Sequence, residues 1–262
     1  MTSKKILVTG AGTGIGLDTV HALIERGHTV IATTHSEEQA AALKARFPST
    51  VDIFKLDITD ESDRSKIDDL GLDVLINNAA IGDSGSLAEV EIDRIRTVFE
   101  VNLLSTLALT QRALRGMIER GHGRVVFISS VAGRIPMPFL MPYSMTKFAV
   151  SAAAAGLREE MKVLGKGIEV SVVEPGAFAT GFNQTMADKK FGWMETSSYF
   201  TAKQIEQLKA ADAQTFGRFE AKSTSSIVNK IVKAAETPRP RLRYVAPWTQ
   251  ALIVRLARII GR

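Results

Sequence analysis

The stretch KKILVTGAGTGIGLDTVHALIERGHTVIATT, residues 4–34, sets a glycine-rich turn between an apolar run and a helical pattern. The apolar runs at 4–9 and 28–34 predict buried strands, and the pattern at 15–26 predicts a helix between them. Two apolar strands joined by a helix indicate a parallel pair, because parallel strands need a long crossover connection. The stretch therefore predicts an α/β fold.

The rest of the chain repeats this alternation. Further strands are predicted at 51–56, 72–77, 123–130, 167–175 and 243–247, and further helices at 37–46, 60–69, 95–119, 143–164 and 223–236. About seven apolar strands alternating with helices predict a doubly wound parallel sheet with helices on both faces. Ligands of such sheets bind beyond the carboxyl ends of the strands.

Three parts of the chain are expected. Residues 1–248 should form a single catalytic domain, and within it residues 181–220 are too long for an ordinary connection and predict a flap. Residues 249–262 have the pattern of a basic amphipathic helix, with Leu252, Leu256, Ile259 and Ile260 on one face and arginines on another. Packing of this helix onto protein and contact with an anionic membrane surface, with Trp248 at the interface, are the two alternatives.

Composition excludes several functions. The 262 residues are 45% hydrophobic and 23% charged, lack cysteine, and contain four histidines in no ligand-spaced cluster. We expect no disulfide, no thiolate chemistry and no metal site. The net charge of +5 comes without a basic run that carries interleaved aromatic residues, so no nucleic-acid binding is expected. No apolar run of roughly 18 residues and no signal peptide are recognised, which predicts a cytoplasmic protein.

The first turn is a candidate phosphate site. Gly10, Gly12, Gly14 and Gly16 alternate through TGAGTGIG, and glycines let backbone N–H groups approach a pyrophosphate at a helix N-terminus. The alternative is a flexible turn without a ligand.

PYSMTK, residues 142–147, is a candidate catalytic pair. Pro142 can begin a helix, which places Tyr143 and Lys147 one turn apart on the same face. Lowering the phenol pKa from about 10 by about three units requires roughly 4 kcal/mol of preference for the phenolate, and a nearby ammonium supplies part of it. The alternative is an ordinary surface pair.

These motifs together resemble the short-chain dehydrogenases/reductases. The resemblance rests on Thr9-Gly10-x-x-x-Gly14-x-Gly16, NNAA at 77–80 and Tyr143-x-x-x-Lys147, and it covers roughly residues 4–248. It implies a Rossmann-type fold and hydride transfer between a nicotinamide cofactor and an alcohol or ketone. It also implies a catalytic set of Asn102, Ser130, Tyr143 and Lys147; Ser129 is one residue short of the family spacing.

The resemblance further implies which residues contact the cofactor. Asp57 matches the adenine contact, NNAA the ribose side and VEPGAFAT the nicotinamide carboxamide, while Ala80 departs from the glycine usual at its position. Asp57 could instead cap a helix, and the asparagines could close a turn. The full set is Gly10, Thr13, Gly14, Ile15, Gly16, Thr34, His35, Asp57, Ile58, Asn78, Ala79, Ala80, Tyr143, Lys147, Pro175, Gly176, Phe178 and Thr180.

Cofactor choice is expected at the end of the second strand. Thr34 stands where similar NAD-dependent proteins carry aspartate, and His35 where the NADP-dependent ones carry arginine. The absence of a carboxylate at these two positions favours NADP(H) over NAD(H). Glu37 and Glu38 weigh against this preference unless they belong to the first turn of the next helix, where acids complement the helix dipole.

The expected substrate is a hydrophobic alcohol or ketone. Its walls would be RIPMPFLMP at 134–142 and apolar residues of the flap; the alternative is that these residues pack the flap onto the domain. The flap residues are Phe182, Met186, Phe191, Trp193, Met194, Tyr199 and Phe200. A homodimer or homotetramer is expected by resemblance, and a non-catalytic nucleotide sensor or a membrane-attached scaffold are the alternative functions.

Overall fold

The chain is built on one sheet of seven parallel strands, in the order β3-β2-β1-β4-β5-β6-β7. The computed structural model describes residues 2–47, 49 and 51–260. The strands are β1 (Lys5–Val8), β2 (Thr29–Thr34), β3 (Asp52–Lys55), β4 (Val74–Asn77), β5 (Gly123–Ile128), β6 (Ile168–Pro175) and β7 (Arg243–Ala246). The strand order reverses between β1 and β4, so the carboxyl ends of these two strands flank the crevice in which such folds bind ligands. The predicted strands and the doubly wound α/β class are confirmed.

Helices cover both faces of the sheet. They are α1 (Gly14–Glu25), α2 (Glu37–Lys44), α3 (Glu61–Ser65), α4 (Ile92–Phe99), α5 (Thr106–Arg120), α6 (Met141–Leu164), α7 (Phe182–Met194), α8 (Ala202–Phe219), α9 (Ser225–Glu236) and α10 (Trp248–Ile259). The prediction of a helix over 60–69 is wrong in length, because only Glu61–Ser65 is helical and turns follow. The continuous helix predicted over 95–119 is interrupted by a π-helix, Glu100–Ser105.

Alternate strand residues fill two separate cores. Ile6 and Val8 of β1 face α1 and α9, together with Leu23 and Ile231, whereas Leu7 lies in the cluster on the opposite face. Successive strand residues point to opposite faces, so a strand buried on both sides reads as one continuous apolar run. For this reason the strands can be predicted from continuous apolar runs in the sequence.

Two helical additions border the carboxyl edge of the sheet. Residues 181–220, predicted as a flap, form the helix pair α7 and α8, and α10 follows β7. Within the described residues, no helix is long and apolar enough to cross a membrane. Residues Gly261 and Arg262 of the predicted terminal helix lie outside the described part of the chain.

Candidate functional site

The glycine turn is fastened to β4 by the side chain of Asn78. Its amide nitrogen donates to the carbonyl oxygens of Thr9 (2.9 Å) and Gly10 (3.0 Å). The Thr9 hydroxyl in turn accepts from the backbone N–H groups of Asn78 and Ala79, each at 3.0 Å. NNAA therefore holds two neighbouring strand ends together, which includes the turn-closing role considered for Asn78, while the Asn77 amide donates to Thr110 at 2.8 Å.

The turn itself fits a dinucleotide phosphate. Gly10 and Gly14 have positive φ angles of 63° and 54°, and a Cβ on Gly16 would collide with the Gly10 carbonyl oxygen. Thr13 stands at the N-cap of α1 without a side-chain bond to the helix, so it leaves the first N–H groups of the helix uncapped. Uncapped N–H groups at a glycine-lined helix start are the donors that a pyrophosphate requires. Ile15 packs against the core.

The end of β2 carries His35 and Thr34. The Thr34 hydroxyl is buried and donates to the Ser36 carbonyl at 3.0 Å, whereas the His35 ring is exposed and its Nδ1 lies 3.5 Å from Oδ2 of Asp57. Glu37 and Glu38 occupy the first turn of α2, as predicted. The β2 end therefore presents an imidazole as its outermost group.

Asp57 lies beside this imidazole but does not cap α3. Its carboxylate accepts from the Thr59 N–H at 2.9 Å, and the helix cap is Asp60 instead. The Ile58 side chain lies in the core and its carbonyl accepts from Arg64 at 2.7 Å, so this predicted contact residue presents no side chain to the crevice.

Tyr143 and Lys147 lie one turn apart on α6, which begins at Met141 with Pro142 in its first turn. Both side chains are buried, and the Lys147 ammonium lies 5.5 Å from the centre of the Tyr143 ring. Lys147 Nζ donates to the Ile128 carbonyl at the end of β5, at 3.0 Å. The surface-pair alternative for these two residues is wrong.

Burial dominates the protonation of both groups. Desolvation raises the pKa of the Tyr143 phenol above its ordinary value of 10.0, and the Ser130 hydroxyl acts in the opposite direction. Desolvation lowers the pKa of Lys147 from 10.5 to about 8. For the protein's own groups, desolvation therefore outweighs the ammonium, and the pKa of Tyr143 lies above its ordinary value and not below it as expected.

Ser130 and Ser129 have separate roles at the end of β5. The Ser130 hydroxyl accepts from the Ala132 N–H at 3.1 Å and is close enough to Tyr143 to affect its pKa. The Ser129 hydroxyl bonds the Lys147 carbonyl and the Ser151 hydroxyl, each at 2.8 Å. Ser129 thus fastens α6 to β5, and Ser130 is the hydroxyl that reaches the phenol.

Asn102 lies in the π-helix and is almost fully buried. Its amide oxygen accepts from the Ile81 N–H at 2.8 Å, and its nitrogen donates to the Ile81 carbonyl (2.9 Å) and to the Thr146 hydroxyl (3.1 Å). Thr146 donates to the Tyr143 carbonyl at 2.7 Å. Single π-helical turns inside longer helices are frequent at functional sites, and this one ties the loop after β4 to the turn that carries Tyr143.

The segment after β6 is held by a residue that sequence reasoning missed. Gln250 of α10 accepts from the Ala177 N–H and donates to the Phe219 carbonyl, both at 2.7 Å, and packs against Gly176. Phe178 is buried in the core, while Thr180 lies against Gly14. The signal available in the sequence was slight: a single amide inside an otherwise apolar and arginine-rich helical pattern.

The flap divides into two parts. Met186 and Phe182 form a cluster with Tyr143, and the Phe182 and Tyr143 rings lie 5.5 Å apart. Phe191 and Met194 instead pack with Ile205 between α7 and α8, and Tyr199 is exposed. A cavity of about 410 Å³ beside Phe191 lies between these two helices and not at the phenol. The alternative that the flap residues pack onto the domain therefore holds for Phe191 and Met194. For Phe182 and Met186 the predicted role as a substrate wall stays a prediction.

Comparisons with known proteins found relatives in both sequence and fold. The family model described as short chain dehydrogenase matches residues 4–190. A ketoacyl reductase of Nostoc is 35% identical over 67% of this chain, and an NADPH-dependent 3-dehydrocapnine reductase of Ornithobacterium rhinotracheale is 32% identical over 66%. The aligned region spans 64% and 65% of the lengths of these two relatives. A crystal structure of a short-chain dehydrogenase from Streptomyces avermitilis is 28% identical and superposes with a TM-score of 0.80, covering 99% of this chain and 94% of that one.

Proposed function

The chain belongs to the short-chain dehydrogenases/reductases, a family of NAD(P)-dependent oxidoreductases, and from this premise we propose that it reduces a hydrophobic ketone with NADP(H). Four residues carry the proposed chemistry: Asn102, Ser130, Tyr143 and Lys147. The observation on which the proposal rests is the burial of the Tyr143–Lys147 pair at the carboxyl edge of the sheet, beside Ser130. The bound nicotinamide would supply the hydride, and these residues would supply the proton and its positioning.

Tyr143 is the proposed proton donor. Because burial raises the pKa of its phenol, the group is protonated at neutral pH and can give its proton to a developing alkoxide oxygen. This protonation state favours the direction of reduction. Ser130 would donate a second hydrogen bond to the same oxygen and stabilise its charge.

Lys147 and Asn102 are proposed to support this transfer. With a pKa of about 8, Lys147 remains largely cationic at neutral pH and favours the phenolate left behind. The side-chain amide of Asn102 is occupied by Ile81 and Thr146. The family resemblance implies that Asn102 anchors a water that relays protons through Lys147, and we propose that it would do so through the backbone of the π-helix.

The proposed preference for NADP(H) rests on the end of β2. Thr34 is buried, His35 is the exposed group, and Glu37 and Glu38 belong to α2. The exposed His35 imidazole could donate a hydrogen bond to a 2′-phosphate. The Asp57 carboxylate beside it would repel the same phosphate. Titration of intrinsic fluorescence with NADPH and NADH tests the preference. Thr34→Asp should shift the binding ratio towards NADH by at least tenfold, and equal binding of the two cofactors by the unaltered chain would contradict the proposal.

The proposed substrate class follows from the apolar groups around the phenol. Ala132, Met137, Leu140, Phe182 and Met186 pack with Tyr143 in one apolar cluster. Such walls favour aliphatic or aromatic ketones, and methionine adapts to irregular shapes. A panel of ketones of increasing apolar size should give rising kcat/KM; a decline with size would contradict this class.

Replacement of the phenol tests the catalytic proposal directly. Tyr143→Phe should bind NADPH normally and lose turnover by roughly 100-fold to 10,000-fold, the range attributed to general acid catalysis. Tyr199→Phe makes the same chemical change at an exposed tyrosine and should keep full turnover. If the unaltered chain binds cofactor tightly but reduces no ketone in the panel, the protein is a nucleotide sensor of the same fold instead.

We further propose that the chain forms a homo-oligomer through its long helices. Exposed apolar side chains lie on two elements. Val163 and Leu164 are at the end of α6, and Leu104 is in the π-helix Glu100–Ser105. Burial of such side chains against a second copy would remove apolar surface from water. Sedimentation analysis of Val163→Glu should show a smaller species than the unaltered chain, and an unchanged mass would exclude this helix face.

A further inference from the structure

Helix α10 turns its apolar side away from the rest of the molecule. Val254 is its buried residue, and the side facing the protein also carries Gln250 and Ala257, which are half-buried. Six large apolar side chains are exposed, by 47–74% of their surface. They are Trp248, Leu252, Ile253, Leu256, Ile259 and Ile260.

These six residues form one continuous outward arc. With 3.6 residues per turn, the spacing of four or three residues from Trp248 through Leu252, Leu256 and Ile259 follows one side of the helix. Ile253 and Ile260 extend that arc on its far edge. An amphipathic helix in a globular protein ordinarily faces its apolar side inward, so this orientation indicates a surface made for a partner.

The charge around the arc selects the partner. Residues 248–262 contain three arginines and no aspartate or glutamate. Arg255 and Arg258 are exposed and flank the arc on one edge. Two copies of α10 packed against each other would bring these cations together, whereas an anionic lipid surface attracts them and accepts the apolar side chains below its headgroups.

We propose that α10 docks the protein on an anionic membrane surface, lying in the plane of the interface with Trp248 and the leucine and isoleucine side chains inserted. Because Gln250 on the inner side of α10 contacts Ala177 and the end of α8, docking places the flap side of the molecule next to the lipid.

Vesicle sedimentation of the full chain tests this proposal. Phosphatidylcholine vesicles containing phosphatidylglycerol should bind the protein, and vesicles of phosphatidylcholine alone should bind it far less. Leu252→Ser with Ile259→Ser should weaken binding roughly a hundredfold, since two side chains lose their insertion. Arg255→Gln and Arg258→Gln should each weaken binding to the anionic vesicles roughly fivefold.

A matched control makes the same chemical changes elsewhere. Leu87→Ser with Ile92→Ser removes two comparably exposed side chains from another surface and should leave vesicle binding unchanged. Equal binding by the control and the Leu252/Ile259 variant would overturn the proposal, as would failure of the unaltered chain to sediment with anionic vesicles. A smaller sedimenting mass of the Leu252/Ile259 variant without vesicles, together with unaltered vesicle binding, would assign the arc to a second copy. Cofactor titration confirms that each variant is folded and does not depend on the membrane result.

Discussion

The glycine turn and the flap border the same edge of the sheet but are held by different kinds of contact. Around the turn, backbone atoms meet backbone or a hydrogen-bonded amide: Gly16 lies against the Gly10 carbonyl, and the Asn78 side chain donates to the carbonyls of Thr9 and Gly10. Around the flap, side chains meet side chains. Met186 and Phe182 pack over Gly82, and Lys190 of α7 pairs with Asp212 of α8 at 2.5 Å.

This difference separates a rigid region from an adaptable one. Backbone contacts leave no atom free to rotate away, so any added volume strains the whole turn. Methionine and phenylalanine side chains have other rotamers available, and methionine in particular fills irregular space. The cofactor side of the site is therefore expected to tolerate little change, and the substrate side to tolerate more.

Gly16→Ala should give the largest loss of stability. The added Cβ would collide with the Gly10 carbonyl oxygen and lie 2.5 Å from the Asn78 amide, both fixed by hydrogen bonds. Overpacking of this kind costs about 1–3 kcal/mol or more. Denaturant unfolding should show a loss at or above the upper end of that range.

Gly12→Ala is the matched control for this position. The nearest atom to its Cβ would be Cγ2 of Thr34 at 3.5 Å, an ordinary contact, and its φ is not positive. Its unfolding free energy should change by less than about 1 kcal/mol. Similar losses for the two variants would show that the turn is no more rigid than its surroundings.

Lys147→Met should change the stability by an amount that depends on pH, because burial lowers the pKa of Lys147. The folded pKa of about 8 is below the ordinary 10.5, so below about pH 8 the buried charge costs stability in full. Between about pH 8 and pH 10.5 the folded protein loses this proton while the unfolded chain keeps it, and the cost disappears.

The stability difference between Lys147→Met and the unaltered chain should therefore shift by roughly 3 kcal/mol across that window, in favour of the variant at the lower pH. Denaturant titrations at the two ends of the window measure the shift. Lys203→Met, at an exposed position, should show no such shift. A difference independent of pH would mean that Lys147 keeps its ordinary pKa in the folded protein.

Gln250→Ala should loosen the connection between the cofactor segment and the flap. It removes the hydrogen bonds to the Ala177 N–H and the Phe219 carbonyl, which water can partly replace, at a cost of about 0.5–1.5 kcal/mol. We expect KM for cofactor to rise more than kcat falls. Gln250→Glu keeps the acceptor for Ala177 but loses the donor for Phe219, so its KM for cofactor should lie between those of Gln250→Ala and the unaltered chain. The control Thr249→Ala, on the same helix, should change neither KM nor kcat. Equal KM values for all three variants would mean that Gln250 positions nothing.

The cofactor side was largely predictable from sequence, for a physical reason. The residues of this side shape the local backbone, and short motifs of fixed spacing indicate the geometry that they form. They are Gly10, Gly14, Gly16 and Asn78. The α6 pair was predictable for the same reason, since Pro142 fixes the helix start and the helix repeat places Lys147 below Tyr143. These local features place the site on the sheet without knowledge of distant contacts.

The remainder depends on contacts between distant segments. Gln250 meets Ala177 across 73 residues, and Trp193 packs on Gly85 and donates to the Ser84 carbonyl across 109. The sequence around each of these residues does not indicate which distant residue it contacts. Without a cofactor charge, the pKa of Tyr143 is raised where the spacing of charges predicted a lower one, because desolvation is a property of the packed interior that the sequence does not reveal.

Gly82→Ala should give the smallest effect and the sharpest test of the adaptable side. Its Cβ would lie 3.0 Å from the Met186 sulfur and 3.1 Å from the Phe182 ring, and the φ of Gly82 is not positive. The sulfur end of Met186 can move, although its Cβ at 3.2 Å cannot, so the stability loss should be at most about 1 kcal/mol, in contrast to Gly16→Ala.

The displaced methionine lies against Tyr143, so the same substitution should change substrate KM while cofactor binding stays constant. Ketone kinetics and NADPH titration on one preparation measure both quantities. A loss of stability as large as that of Gly16→Ala would mean that side-chain contacts hold the flap as rigidly as backbone contacts hold the turn. In that case the proposed substrate wall would be preformed, as the glycine turn is. The kcat/KM values of the ketone panel should then fall sharply above one ketone size and not rise gradually with size.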